Sequence, residues 1–242
     1  FAEMDGLVNP ARGWISNANQ DPTGQTFDND PLNELRPGGG IRYITPGHAD
    51  GNRNARISAR LCGEPASLPA CEPQSALGDG AVSFGEMQSI QADVKLFDAE
   101  VFAPHLVAAL EAAKTPGAPA PLAALGDDPD VGEAIERIAD WDFSTPTGLV
   151  EGWDAGAPAG TPPSQAEIDA SVATTVYSLW RGRLLANTID ATLLSAGLGA
   201  FLPFGDRAVV GVRHLLDSFD TASGVGASGL DFFAVPGMPT PE

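Results

Sequence analysis

Glycine and proline punctuate this chain so densely that no long uninterrupted element can dominate it. There are 28 glycines and 21 prolines in 242 residues, more than a fifth of the sequence. Each tends to end, kink or loosen a helix or strand. Such a load argues against a compact bundle of uniform helices and predicts long irregular connections between short elements. Hydrophobic residues still make up 43% of the chain. A core can therefore form, and the sequence is not an acidic disordered tail.

Charge narrows the partners. Asp and Glu number 32 against 13 Lys and Arg, for a net charge of −19. A surface that negative repels phosphate backbones and anionic lipid, which argues against nucleic acid and a membrane surface as partners. A solvated acidic surface is the simplest reading; a high-salt habitat or a basic partner would also fit. No run of eighteen apolar residues is present, so membrane insertion is not expected. No basic-then-apolar segment opens the chain. The start at Phe1 and the Pro-rich end from Pro236 to Glu242 read as a piece of a longer, or a processed, polypeptide.

Periodicity places the elements. Residues 1–52 carry short apolar runs among Gly, Asn, Asp and Pro, and read as an extended or loop segment with one or two short strands. Residues 53–235 read as a helical domain and 236–242 as a tail. A short helix is expected from Arg53 to Leu61. Ser83 followed by Glu86 has the capping-box spacing, with Met87, Ile90, Val94 and Phe97 at helical intervals behind it. Pro104 is expected to break or kink that helix and suits the first turn of the next, which runs to about Lys114. Asp130 to Trp141 gives a third helix with Ile135 and Ile138 inward. Ser164 and Glu167 cap the longest helix, whose expected stripe is Ile168, Val172, Val176, Leu179, Trp180 and Leu184. Asp206 opens a last helix. The fold class is mainly α, α+β overall, with a short N-terminal strand region and long loops.

Most chemistry-bearing residues have an ordinary explanation. His48, His105 and His214 are far apart and fall in no metal-binding spacing. Ser228 lacks the full nucleophile-elbow pattern, and Gly38-Gly39-Gly40 is followed by no phosphate-binding helix. Asp127-Asp128-Pro129-Asp130 does not have the spacing of a calcium loop and suits a helix N-terminus. Cys62 and Cys71 flank eight residues containing two prolines. They suit a small disulfide loop worth about 2–3 kcal/mol and an oxidising compartment, or else two free thiols. Asn17 and Asn19 remain. If Gly13 to Asn19 is a strand, both amides share one face, and a side-chain amide N–H is a suitable neutral donor to an oxyanion. The plain alternative is an Asn-rich turn.

Here the sequence resembles a known family. Asn9-Pro10-Ala11-Arg12-Gly13-Trp14-Ile15-Ser16-Asn17-Ala18-Asn19 is similar to a β-chain segment of the penicillin acylases, and Phe1-Ala2-Glu3-Met4 to the residues preceding it there. Arg53-Asn54-Ala55-Arg56-Ile57 resembles the family's R-x-x-R-I helix. The stretch from Ser83 to Asp93 resembles its Q-x-D helix, and Ala139-Asp140-Trp141-Asp142 a later turn. The matches keep their order along the chain.

The resemblance implies an amidohydrolase of the N-terminal-nucleophile class and places this chain in the helical part of the β-chain. In such enzymes a zymogen is cut to expose an N-terminal Ser, Thr or Cys. That residue attacks an amide with its own α-amine as base and passes through an acyl-enzyme. No cofactor is needed for the chemistry. Phe1 is not a nucleophile, so the nucleophile is expected upstream and the isolated chain is expected to be inactive. The implied partners are the α-chain, the rest of the β-chain and a small N-acylated amide: a β-lactam side chain, an acyl-homoserine lactone or a lipopeptide. Antibiotic biosynthesis and a periplasmic or extracellular location fit the same picture. By the resemblance Asn19 is the oxyanion-hole donor, with Asn17 as support. Arg53 orients the substrate, and Asp30 is one ligand of a structural calcium ion. The alternative is a catalytically dead binding or scaffolding module of the same fold.

Overall fold

A computed structural model describes residues 8, 13–21, 35–36, 38–41, 48–49, 51–62, 82–146, 162–203 and 207–234. Helices dominate these residues and form no sheet, so the chain is mainly α. The β pairing among them is three isolated bridges, Leu35 with Ile41, Lys95 with Ser144, and Val225 with Asp231. Two compact units are present, Phe1–Asp93 and Val94–Glu242.

The first unit contains helix α1 (Asn52–Cys62) and helix α2 (Phe84–Gln91). The capping box at α2 forms as the spacing predicts. Ser83 Oγ accepts from Glu86 N, and Ser83 N donates to the Glu86 carboxylate at 2.6 Å. Two otherwise orphaned N–H groups are thereby satisfied. Arg56 makes a two-pronged ion pair with Asp93, both contacts at 2.7 Å, and Arg60 donates to Ser89 Oγ at 2.6 Å. These bonds tie α1 to the end of α2, and the inner face of α1 buries Ser58 and Ala59. The glycine run 38–40 simply turns the chain between the bridge partners Leu35 and Ile41, with Arg36 N donating to Gly40 O.

The second unit is built on helix α3 (Phe97–Ala113), α4 (Ala120–Gly126), α5 (Pro129–Ala139), α6 (Gln165–Leu185), α7 (Ala191–Ser195), α8 (Arg207–Asp217) and α9 (Phe219–Ala222). A π turn over Ala186–Asp190 joins α6 to α7, so helical structure runs on to Ser195. Phe102, Ile138, Trp141, Tyr177, Ile189, Val209, Val212 and Leu215 form the centre of its core. Trp141, Phe143, Tyr177 and Trp180 make a chain of tilted and edge-on ring contacts at 5.4–5.7 Å, geometry that aromatic quadrupoles favour. Beside them Arg181 donates to the carboxylate of the buried Asp98. Burial, with the charge of Asp98, pushes the Tyr177 phenol well above the ordinary tyrosine value. At the head of α6, bonds from Ser164 hold the Glu167 carboxyl below its usual range.

Three expectations change. Pro104 breaks nothing: the helix interruption lies at residues 92–96, and α3 runs through Pro104. The reason is tertiary. Leu96 N donates to Phe143 O and Thr145 N to Val94 O, which draws this stretch out of the helix. Pro104 meanwhile sits on the exposed face of α3, opposite the buried Phe102, Ala103 and Leu110. Second, α4 forms between Lys114 and Asp130, where the periodicity places no helix, with Pro121 in its first turn. A Cβ on Gly126 would lie 2.9 Å from the backbone C and O of Ala113, so glycine permits the close approach of α4 to α3. Third, α6 buries Ala170, Ala173 and Tyr177, while Ile168, Val172 and Leu179 are exposed. Val176, Trp180 and Leu184 of the expected stripe do pack, half-buried, against the core, while the fully buried positions are taken by Tyr177 and by small residues, which let neighbouring helices approach.

Candidate functional site

Residues 14–17 run extended, and residues 18–20 bend. Exposure alternates along this stretch. Ile15, Asn17 and Asn19 are exposed, Ser16 is half-buried and Ala18 is buried. Asn17 and Asn19 are thus both exposed, but the segment is not a strand among the described residues, so the alternation expected of a strand does not fix their directions. Asn19 lies at φ 63°, in the left-handed region where Asn is among the few side chains that sit readily.

Without a ladder, this backbone is held by side chains. Asn17 Oδ1 accepts from Asn19 N at 3.0 Å, closing a turn across Ala18. Gln20 Oε1 accepts from Ala18 N at 2.7 Å, and Gln20 Nε2 donates to Ser16 O at 3.2 Å. Ser16 Oγ donates to Asn54 Oδ1 at 2.5 Å. Ala49 N donates to Asn19 O at 2.7 Å. Next to Ala49, His48 Nε2 lies 3.9 Å from a carboxylate oxygen of the buried Asp21.

Arg53, in the first turn of α1, decides the orientation of Asn19. Its Nη2 donates to Ala18 O and to Asn19 Oδ1, each at 2.8 Å. A guanidinium has donors and no acceptor, so it selects the oxygen end of the amide. The Nδ2 hydrogens of Asn19 are thereby turned away from Arg53. The first turn of α1 holds no acidic residue, and its N-terminal backbone carries partial positive charge. A neutral amide donor beside a guanidinium and a helix start is suited to hold a developing oxyanion.

The sequence profile of the penicillin amidase family matches residues 1–227. The chain belongs to the penicillin amidase family. No curated protein and no solved structure matches it significantly. Membership gives this penicillin amidase chain its place in an acylase-type amidohydrolase.

Of the four residues proposed from sequence, the structure brings three together: Asn19, Arg53 and Asn17. Asp30 lies outside the described residues, as does Cys71 of the proposed disulfide. Among the described residues no group of three or more His, Cys, Asp or Glu side chains is placed to hold a metal. Gln20, Ser16 and Asn54 escaped the sequence reading. Their one signal is that Ser16, Asn17, Asn19 and Gln20 crowd four hydrogen-bonding side chains into five positions. A cleft of about 670 Å³ in the second unit is lined by Arg137, Trp141, Asp142, Ser144 and Glu167, among others. It contains none of the proposed residues. Asp128 Oδ1 caps α5 by accepting from Asp130 N at 2.9 Å, which is the helix-start role expected of that acidic run.

Proposed function

We propose that this chain supplies the oxyanion-binding part of an amidase active site, with Asn19 Nδ2 as the donor. The observation that carries this reading is the bond from Arg53 to Asn19 Oδ1 at 2.8 Å. It leaves the N–H end of the amide for a substrate oxygen. As the substrate carbonyl is attacked, its oxygen gains charge and the Asn19 N–H bond strengthens. That bond is worth more in the transition state than in the ground state, so it lowers the barrier. Asn17 keeps the Asn19 backbone in its left-handed conformation, and Arg53 orients the amide while contributing positive potential.

The attacking hydroxyl or thiol comes from a segment outside these 242 residues, so the isolated chain is inactive. A small N-acylated amide is the substrate: a β-lactam side chain, an acyl-homoserine lactone or a lipopeptide. The enzyme is a zymogen, cut into an α-chain and a β-chain, and works in the periplasm or outside the cell. Family membership supports that location. No described helix is long and apolar enough to cross a membrane. A structural calcium ion would take Asp30 as one ligand, with the other oxygens supplied elsewhere; no chemical step passes through it.

The test is Asn19→Ala in the mature full-length enzyme, assayed on phenylacetyl and long-chain acyl arylamides. Loss of one such donor should cut kcat by about 10²–10³-fold with little change in KM. Unchanged turnover removes Asn19 from the site. An inactive parent protein that still binds an acyl amide would favour the binding-module alternative.

A further inference from the structure

We propose that Gln20 is a positioning residue for the oxyanion donor, acting through the backbone of the Asn19 turn. This rests on the reading of Asn19 given above. Residues 16–20 change from extended to left-handed within a few positions, and no described strand pairs with them. Their polar groups must therefore be satisfied by other means. Gln20 uses both ends of its amide for this. Its oxygen takes the Ala18 N–H at 2.7 Å, and its nitrogen gives a hydrogen to Ser16 O at 3.2 Å. One side chain thus clips both ends of the three-residue span that leads into Asn19.

The clip acts together with a second anchor. Ser16 Oγ is fastened to Asn54 in the first turn of α1. Arg53, its neighbour in that turn, holds Ala18 O and Asn19 Oδ1. With Gln20 in place, the span from Ser16 to Asn19 has one length and one register against α1. Without it, Ala18 N loses its acceptor and the turn can relax while Arg53 still holds the far end. The Nδ2 of Asn19 would then shift from the oxyanion position. An error of about 1 Å in a catalytic donor can cost on the order of 10²-fold in rate.

The experiment is a double-mutant cycle in the processed full-length enzyme, read as kcat and KM on a chromogenic N-acyl arylamide. Gln20→Ala should lower kcat roughly ten- to a hundredfold with KM little changed. Gln20→Glu keeps the acceptor for Ala18 N but sets a carboxylate against Ser16 O and adds negative charge beside the oxyanion donor, so it should lower kcat at least as far as Gln20→Ala. In an Asn19→Ala background, Gln20→Ala should add almost nothing, because its effect passes through Asn19. Full additivity in that background overturns the positioning role. So does a Gln20→Ala enzyme with wild-type kcat, or one altered only in KM. If Asn19→Ala alone leaves kcat unchanged, the oxyanion reading itself falls, and the role of Gln20 with it.

Discussion

The turn around Asn19 and the aromatic cluster around Tyr177 are held by opposite means. In the turn, each tie runs through a polar side chain or a single backbone bond, and Asn17, Asn19 and Arg53 are exposed. In the cluster, Phe102, Ile138 and Tyr177 are at most 1% exposed, and apolar contact does the holding. Polar ties near solvent contribute little net stability, because water competes for each group. They fix direction well, because each donor meets one acceptor. Apolar contact stabilises strongly and specifies direction weakly. The chain therefore separates stability from aim, and substitutions in the two regions should move different observables.

The largest expected effect on stability lies in the cluster. Phe102→Ala should destabilise the second unit by about 3–5 kcal/mol, read as a lower denaturant midpoint. A loss below 1 kcal/mol would mean that this core is loosely packed. Arg53→Leu should act in the other region: a fall in kcat of at least about tenfold, as the amide loses the partner that orients it and the site loses a positive charge. Its melting temperature should stay near wild type, and a large drop would show that Arg53 serves stability instead.

Smaller effects sharpen the contrast. Gly126→Ala forces a Cβ against the Ala113 backbone and should cost about 1–3 kcal/mol with no effect on turnover. Ser164→Ala removes one half of a capping box and should cost about 1 kcal/mol in chemical denaturation. Tyr177 gives the smallest effect, and only in alkali. Its phenol is raised in the folded state, so below about pH 10 it is neutral in both states and contributes no pH dependence. Above that, the unfolded chain ionises first, and stability should fall as pH rises. Tyr177→Phe should flatten that alkaline slope; an unchanged slope assigns it to other groups.

Local signals were the readable part of the sequence. Ser83 with Glu86 and Ser164 with Glu167 each announce a helix start within four residues, and both boxes form. The interruption before α3 and the buried face of α6 depend on contacts far along the chain. Phe143 and Ser144 draw residues 94–96 out of a helix, and Pro104 falls harmlessly on an outer face. Ile168, Val172 and Leu179 look like a core stripe only if hydrophobicity is counted without regard to the approach distance of neighbouring helices. At the site, Asn17, Asn19 and Arg53 were visible through the resemblance to a family. Gln20 and the Ser16–Asn54 bond were not, because nothing local says that a glutamine will turn back onto its own backbone.

The central claim is that Asn19 presents an N–H donor while Arg53 holds its oxygen. Asn19→Asp tests this most directly, since aspartate keeps the shape and the oxygen that Arg53 grips but carries no amide N–H. In the mature full-length enzyme, the account predicts that Asn19→Asp keeps its melting temperature and loses at least as much kcat as Asn19→Ala, about 10²-fold or more. An Asn19→Asp enzyme with near wild-type turnover would contradict it.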